Sequence, residues 1–347
     1  MVPQQNPAWQ LKFVSRDNHG NPIAAITTVV KPTTQFTGGQ TPLLSVQYYT
    51  NSLGLSCAPS HAVTGGTTNS EAEGSFPLIG LEQGYALVIP DHLGPSSEYA
   101  AGLTGGQITL DSIRAALAFA PLGLNARTPV GMEGYSGGSI STIWAASIAN
   151  AYAPQINLVA AASGGTVAIT KDVIGNLGSF PASEELPLGI SALLGINRAF
   201  PQLVTPILNA AGVKVANATK DGCGGATTDG SAAPTGAYGD YTTIPNPLDN
   251  PAVDAILAAD DMPVAGHMPT IPLYIYQSEV DEFVPVADTT ALVNSFCATG
   301  EHVAYYIGAT GEHIAFSITM APTVFTYFTS RFSNLPEIVP PGSTTCN

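Results

Sequence analysis

The sequence predicts an α/β fold in which a mostly parallel central sheet is flanked by helices and carries an inserted helical cap. Two observations support this prediction. Short apolar runs of strand length alternate with longer helical patterns along most of the chain, and this alternation stops between about residues 171 and 262. The chain has 347 residues, 45% of them hydrophobic, which is enough to bury a large core.

The chain is predicted to open with an antiparallel hairpin. Residues 9–15 and 23–31 are apolar, β-branched runs, and the Asp-Asn-His-Gly-Asn-Pro segment between them favours a turn. Further strands are predicted at residues 43–49 and 85–90. The second of these runs is apolar throughout, which is typical of a strand buried on both faces of a sheet.

The central part of the chain alternates between helix and strand. A helix is predicted over residues 108–120, with Thr109 or a neighbouring residue as its N-cap and Pro121 beyond its end. The next predicted elements are a strand, a helix and a strand, at residues 130–133, 137–151 and 156–162. This order predicts parallel strands joined by right-handed crossovers.

The segment of residues 171–262 interrupts this pattern. It contains apolar helical stretches at residues 186–194 and 200–212 and a glycine-rich loop around Cys223. We expect it to be a cap inserted into a core made of residues 1–170 and 263–347. Alternation resumes after it, with strand, helix, strand and helix predicted at residues 271–277, 286–297, 303–307 and 314–332.

Charge argues against binding to nucleic acid, and hydropathy argues against a transmembrane helix. The 25 acidic and 10 basic side chains give a net charge of −15, which repels nucleic-acid phosphates. No apolar run reaches the roughly 18 to 20 residues that a membrane helix needs, so no transmembrane segment is predicted. The first seven residues lack the basic and apolar regions of a signal peptide, and we interpret the chain as the mature form of a secreted protein.

Four widely spaced cysteines indicate an oxidising compartment. They form no C-x-x-C pair of the kind that binds zinc, and their even number predicts two disulfides, with four buried free thiols as the alternative. Of the three possible connectivities we favour Cys57–Cys223 with Cys297–Cys346, because the second bond would hold the proline-rich C-terminal tail. The sequence also lacks an H-E-x-x-H motif, and neither a metal nor a cofactor is predicted.

The segment Gly-Tyr-Ser-Gly-Gly at residues 134–138 matches the pattern G-x-S-x-G between a predicted strand and a predicted helix. In this context the pattern indicates a nucleophilic serine, Ser136, raised on a sharp turn. The flanking glycines permit a strained backbone and close approach of neighbouring elements. An ordinary glycine-rich turn is the alternative interpretation.

A serine nucleophile requires a base and a carboxylate that orients the base. His313 follows the last predicted strand and directly precedes a helix, where open α/β sheets place active groups. Asp281 follows the preceding strand and is our choice for the carboxylate, with Glu279 and Glu282 in the same loop as alternates.

The negatively charged oxygen of a tetrahedral intermediate needs two backbone donors. Gly137 follows the nucleophile and is expected to supply one N–H. Asp91, in the loop after the strand at residues 85–90, is our candidate for the second, and His92 beside it is a candidate for shaping the site.

These segments together resemble the secretory lipases, the lipase A-like family of fungi and actinobacteria within the α/β-hydrolase superfamily. The resemblance depends on four segments in order: Pro-Asp-His-Leu-Gly at 90–94, Gly-Tyr-Ser-Gly-Gly at 134–138, Asp-Glu-Phe-Val-Pro at 281–285 and Gly-Glu-His at 311–313. It implies an α/β-hydrolase fold with a helical lid at about residues 171–262. It also implies an oxyanion hole at Asp91 and Gly137.

The leading hypothesis is a serine carboxylic ester hydrolase, a lipase or esterase that acts on a small-molecule or lipid ester and makes transient contact with a lipid interface. The apolar residues 186–208 would bind an acyl chain or form the core of the cap itself. Three alternatives are open: an acyltransferase with the same triad, a serine peptidase, and a noncatalytic binder of hydrophobic ligands.

Overall fold

A nine-stranded sheet forms the centre of the computed structural model, which describes residues 6–62, 71–179, 185–264 and 266–347. The strands are β1 (Ala8–Arg16), β2 (Pro22–Val30), β3 (Leu43–Gln47), β4 (Ala86–Pro90), β5 (Val130–Tyr135), β6 (Leu158–Gly164), β7 (Leu273–Ser278), β8 (Val303–Gly308) and β9 (Thr344–Cys346). Their order across the sheet is β1-β2-β4-β3-β5-β6-β7-β8-β9. Strands β4 to β8 in this order pair in parallel, and β1, β2 and β9 join antiparallel at the two ends. The predicted α/β fold with a mostly parallel sheet is confirmed.

Helices cover both faces of the sheet. Those in the described part of the chain are α1 (Pro59–Ala62), α2 (Glu71–Glu82), α3 (Gly102–Ala118), α4 (Gly137–Tyr152), α5 (Thr170–Leu177), α6 (Leu186–Ala199), α7 (Ala210–Thr219), α8 (Pro251–Asp260), α9 (Val286–Thr299) and α10 (His313–Phe332). Helices α3, α4 and α9 pack on one face, and α2 and α10 pack on the other. Within the described ranges, no helix combines the length and the apolarity that a bilayer crossing requires.

The two faces of the central strands contribute to two separate cores. In β5, Val130 and Met132 pack with α3 and α4, whereas Tyr135 joins the core under α10. In β7, Ile275 belongs to the first core and Tyr276 to the second. Because alternate residues of a strand point to opposite faces, burial on both sides requires the nearly continuous apolar runs seen in the sequence.

The predicted start of the helix at residue 108, with Thr109 as its N-cap, is wrong. Helix α3 begins at Gly102 after Ala101, and Thr109 is buried inside it. The early glycines suggest a loop, but they are contact positions: a Cβ on Gly106 would lie 2.9 Å from the Ala145 backbone nitrogen of α4. The helix starts early because small residues let α3 and α4 pack closely.

The inserted segment between β6 and β7 carries α5 to α8. The stretch predicted to be helical at 186–194 lies within α6. The helix predicted at 200–212 is wrong, because a short 3-10 turn at Thr205–Ile207 precedes α7 there. Asn209 sets the later start, since its side chain accepts hydrogen bonds from the N–H groups of Ala211 and Gly212.

Two disulfides join distant parts of the chain. Cys57, which follows β3, is bonded to Cys223 in the inserted segment, and Cys297 of α9 is bonded to Cys346 of β9. The favoured connectivity is confirmed. The second bond attaches the C-terminal strand β9 to α9, the helix that connects the parallel strands β7 and β8.

Glu133 is a buried acid within β5. It is 3% exposed, and Tyr276 Oη donates a hydrogen bond to its Oε1 at 3.2 Å. Burial raises the pKa of Glu133 to about 8. Because the pKa in the folded chain lies above the ordinary value of 4.5, folding favours the protonated acid.

Glu133→Gln should remove this source of pH dependence. The stability contributed by protonated Glu133 is complete below about pH 4.5 and is lost as pH rises through 8. We expect the free energy of unfolding of the variant, relative to the unmodified protein, to increase by about 1.4 kcal/mol per pH unit between pH 5 and 8. Denaturant titrations at several pH values measure this difference, and a constant difference would contradict the assignment.

Candidate active site

Ser136 lies in the sharp turn between β5 and α4. Its backbone has φ 53° and ψ −126°, and a positive φ is uncommon for residues other than glycine. Its N–H donates to the Gly164 carbonyl of the neighbouring strand β6 at 2.9 Å, which anchors the turn to the sheet. The hydroxyl therefore projects from the carboxyl edge of the parallel strands.

The glycines around Ser136 are required by close backbone approach. A Cβ on Gly134 would lie 2.5 Å from the Gly138 carbonyl oxygen, and a Cβ on Gly138 would lie 2.0 Å from the Gln47 carbonyl oxygen of β3. Any other residue at these positions would push the first turn of α4 away from the sheet. The G-x-S-x-G pattern thus has a direct packing cause in this chain.

The structure brings Ser136, His313 and Asp281 into one hydrogen-bonded chain. His313 begins α10, its Nε2 lies 2.7 Å from Ser136 Oγ, and its Nδ1 lies 2.7 Å from Asp281 Oδ2. The side chains of His313 and Asp281 are 1% and 0% exposed. With Nδ1–H donating to the carboxylate, Nε2 is the acceptor that faces the serine hydroxyl.

The Asp281 carboxylate is fixed by its own loop. Its Oδ1 accepts the N–H groups of Phe283 and Val284 at 3.0 and 2.8 Å, and its Oδ2 accepts Gln277 Nε2 at 2.9 Å. The two alternate acids lie elsewhere. Glu279 is exposed, and Glu282 accepts the His313 backbone N–H, so neither contacts the imidazole nitrogens.

Gly137 occupies the expected position, but Asp91 does not. Gly137 is the first residue of α4, directly beside Ser136. The Asp91 N–H donates to the Ile26 carbonyl of β2 at 3.0 Å, and its carboxylate accepts both the N–H and the hydroxyl of Ser60. This N–H is therefore not free for an oxygen beside Ser136. Burial also raises the pKa of Asp91.

The order of the strands explains why Asp91 lies away from Ser136. Strand β3 lies between β4 and β5, so the loop after β3 is adjacent to the serine turn and the loop after β4 is one strand further away. His92, in that more distant loop, is 1% exposed and does not line the cavity at Ser136. Burial lowers its pKa to about 4.

Asn51, in the loop after β3, is the residue that sequence reasoning missed. Its backbone is left-handed with φ 42°, and a Cβ placed on Gly137 would lie 1.9 Å from its Oδ1. That Oδ1 is buried and has no hydrogen-bond partner in the described part of the chain. Asparagine is enriched in left-handed backbone, and its place after a strand was the available signal.

A small apolar cavity lies above Ser136. Its volume is about 30 Å³. Helices α5 and α6 of the inserted segment form its roof, and the Asn51 loop and the loop after β7 contribute to its walls. The lining residues are Asn51, Tyr99, Ala100, Ser136, Gly137, Ile140, Val167, Thr170, Val173, Ile174, Leu177, Leu188, Ala192, Phe283 and Val284.

The inserted segment is tied directly to the Asn51 loop. Arg198 of α6 donates to the carbonyl oxygens of Leu53 and Lys220, both at 2.6 Å. The N–H groups of Leu53 and Gly54 donate to the Gly222 carbonyl, next to the Cys57–Cys223 disulfide. The roof of the cavity and the loop beside the nucleophile are thus mechanically connected.

A second cavity in the described part of the chain lies apart from Ser136. A cavity of about 250 Å³ lies under α10 on the opposite face of the sheet, and neither Ser136, Asp281 nor His313 lines it. Within the described ranges, no three or more His, Cys, Asp or Glu side chains are grouped to hold a metal ion.

The arrangement at Ser136 is suited to nucleophilic acyl chemistry. A serine hydroxyl is unreactive at its ordinary pKa. A histidine can activate it by accepting its proton, and a carboxylate can orient that histidine. The N-terminus of α4 points its free N–H groups toward the same place, where negative charge would develop.

Known proteins resemble this chain over most of its length. The family model of secretory lipases matches residues 61–339. The Mycobacterium tuberculosis protein named probable inactive lipase MT1628 is 30% identical, over 97% of this chain and 76% of its own length. Lipase 5 of Candida albicans is 31% identical, over 94% of this chain and 72% of its own length.

Solved structures share the fold. Candida antarctica lipase A in its closed state superposes with a TM-score of 0.84 at 25% identity, covering 97% of this chain and 82% of that one. The rice cell wall degrading esterase LipA from Xanthomonas oryzae gives a TM-score of 0.71 at 17% identity, covering 90% and 86%, and is similar in fold alone.

Proposed function

This chain belongs to the secretory lipase family, and from that premise we propose that it is a serine ester hydrolase with Ser136 as its nucleophile. The hydrogen-bonded chain from Ser136 through His313 to Asp281 carries the proposal. Its apolar surroundings and the family fit a lipid or other carboxylic ester as substrate. The disulfides and the family name favour an extracellular site of action.

In the proposed mechanism, His313 Nε2 takes the Ser136 proton while Oγ attacks the ester carbonyl carbon. Asp281 holds the imidazole in the required tautomer and stabilises the imidazolium that forms. The imidazolium then gives the proton to the departing alcohol, which leaves an acyl group on Ser136. A water molecule, activated by His313 in the same way, releases the acid. An alcohol in place of water would give acyl transfer by the same steps.

The oxyanion of the tetrahedral intermediate would bind between Gly137 and Asn51. Gly137 offers the N–H that follows the nucleophile, and Asn51, which lines the same small cavity, offers its backbone N–H and the Nδ2–H group of its side-chain amide, whereas its Oδ1 can only accept. The loop after β3 is also the source of the second donor in the general nucleophile-elbow arrangement. Asp91 is left with a structural role at Ser60.

We assign residues 171–262 as the cap and residues 1–170 with 263–347 as the catalytic core. Helices α5 and α6 cover Ser136 with apolar side chains such as Ile174 and Leu188. A cavity of about 30 Å³ is too small for more than a few heavy atoms, so binding of an acyl group requires these helices to move outward.

A noncatalytic binder is the second candidate function, because a relative of 30% identity is named as an inactive lipase. The spacing of Ser136, His313 and Asp281 favours activity in this chain. A serine-reactive phosphonate distinguishes the two functions: the hydrolase becomes labelled at Ser136, and a binder without an activated hydroxyl does not.

Ser136→Ala should abolish ester turnover while the fold is retained. Removal of a triad nucleophile typically costs about a million-fold in turnover. The measurement uses p-nitrophenyl esters from acetate to palmitate beside an emulsified triglyceride, with the circular dichroism spectrum and melting temperature as controls for folding. Turnover retained in the variant would refute the proposed mechanism.

Substitutions at Asn51 and Asp91 should differ in their effect on turnover. Asn51→Ala removes the side-chain amide and disfavours the left-handed backbone, and we expect turnover to fall on the order of 100-fold. Asp91→Asn should change turnover less than about twofold, because it alters only the carboxylate that binds Ser60 and leaves the backbone N–H on the Ile26 carbonyl.

Asn51→Gly separates the two donors of Asn51. Glycine keeps the left-handed backbone at low cost, so retained turnover would assign the backbone N–H and lost turnover would assign the side-chain amide. Normal turnover in Asn51→Ala would overturn the assignment of Asn51.

A further inference from the structure

The backbone of His313 is held by side chains on both sides of its Cα atom. Glu282 Oε2 accepts the His313 N–H at 2.9 Å, and Tyr135 Oη donates to the His313 carbonyl oxygen at 2.7 Å. These contacts are separate from the two contacts of the imidazole nitrogens.

The four contacts of His313 come from two dipeptides. Ser136 meets Nε2 and its neighbour Tyr135 meets the carbonyl oxygen, while Asp281 meets Nδ1 and its neighbour Glu282 meets the N–H. The loop of Ser136 and the loop of Asp281 therefore each bind both the ring and the backbone of His313. The result is a fixed position of the imidazole relative to both of its partners.

We propose that Tyr135 and Glu282 are positioning residues that set the imidazole of His313 between Ser136 and Asp281. The inference depends on the proposed role of His313 as the catalytic base. Neither residue touches the reacting atoms, and both act through the His313 backbone.

The position of His313 at a helix terminus makes such support necessary. The first N–H groups of a helix have no partner within the helix, and a helix end without partners frays. Glu312 caps the next two residues instead, since its carboxylate oxygens accept the N–H groups of Ile314 and Ala315. The His313 N–H is left to Glu282.

The Tyr135 phenol is a permanent donor. Burial, together with the negative charges of Asp281 and Glu282, raises the pKa of Tyr135 well above its ordinary value, so the hydroxyl proton is present at any physiological pH. The ring also packs against the imidazole with centroids 5.0 Å apart, and the Phe283 ring lies 5.1 Å from the same imidazole. Loss of the hydroxyl alone would leave this ring contact in place.

The first experiment compares Tyr135→Phe with Tyr276→Phe as the matched control. Tyr276 is buried next to Tyr135, with ring centroids 5.8 Å apart, but its hydroxyl donates to Glu133 rather than to His313. We expect kcat of Tyr135→Phe toward a p-nitrophenyl ester to fall about tenfold with KM within twofold, because small displacements of a catalytic group lower turnover. Tyr276→Phe should retain kcat within twofold.

The second experiment uses three variants in the acid loop. Glu282→Ala removes the acceptor for the His313 N–H and should lower kcat about tenfold. Glu282→Gln keeps an acceptor oxygen and should restore kcat to within about threefold of the unmodified protein. Glu279→Ala, an exposed acid in the same loop, is the control for loss of charge and should have no effect.

Two results would overturn the inference: equal kcat values for Tyr135→Phe and Tyr276→Phe, or equal losses in Glu282→Gln and Glu282→Ala. Melting temperatures of all variants separate a general loss of stability from displacement of His313. Ser136→Ala measured in parallel tests the proposed function itself. If that variant remains active, the proposed function fails; if it is inactive while the positioning variants behave like their controls, only the present inference fails.

Discussion

Parallel pairing of β5, β6, β7 and β8 brings the carboxyl ends of these strands to one edge of the sheet. Tyr135 pairs with Gly164, and Ser278 pairs with Gly308, so the residues that follow β5, β7 and β8 emerge side by side. The 2.7 Å contact between Ser136 and His313 spans 177 positions of sequence and exists only because of this main-chain register. The side-chain geometry of the site is therefore a consequence of backbone hydrogen bonds deeper in the sheet.

Local patterns were sufficient to predict most elements and the positions of Ser136, Asp281 and His313. These residues follow strands whose apolar runs are visible in the sequence, and the loop after a parallel strand has a defined place. The position of Asn51 was not predictable in the same way, because only the pairing of β3 with both β4 and β5 makes its loop the neighbour of Ser136. Helix α2 was missed for a local reason, since it contains Pro77, a residue that normally ends a helix.

The inserted segment between β6 and β7 and the rest of the chain share attachment points. Arg198 and the Gly222 carbonyl bind the loop that carries Asn51, and Asp260 at the end of α8 accepts the N–H of Gly102 at the start of α3. Asp260 is buried, which raises its pKa to about 7. The middle and the C-terminal end of the inserted segment thus contact elements that pack beside the serine turn.

The two disulfides connect the cysteines in the order in which they occur, the first with the second and the third with the fourth. A polypeptide that enters an oxidising compartment amino end first exposes Cys57 and Cys223 before either of the remaining thiols arrives. Oxidation in the order of arrival then produces the native bonds directly, with no mispaired species that an isomerase would have to resolve.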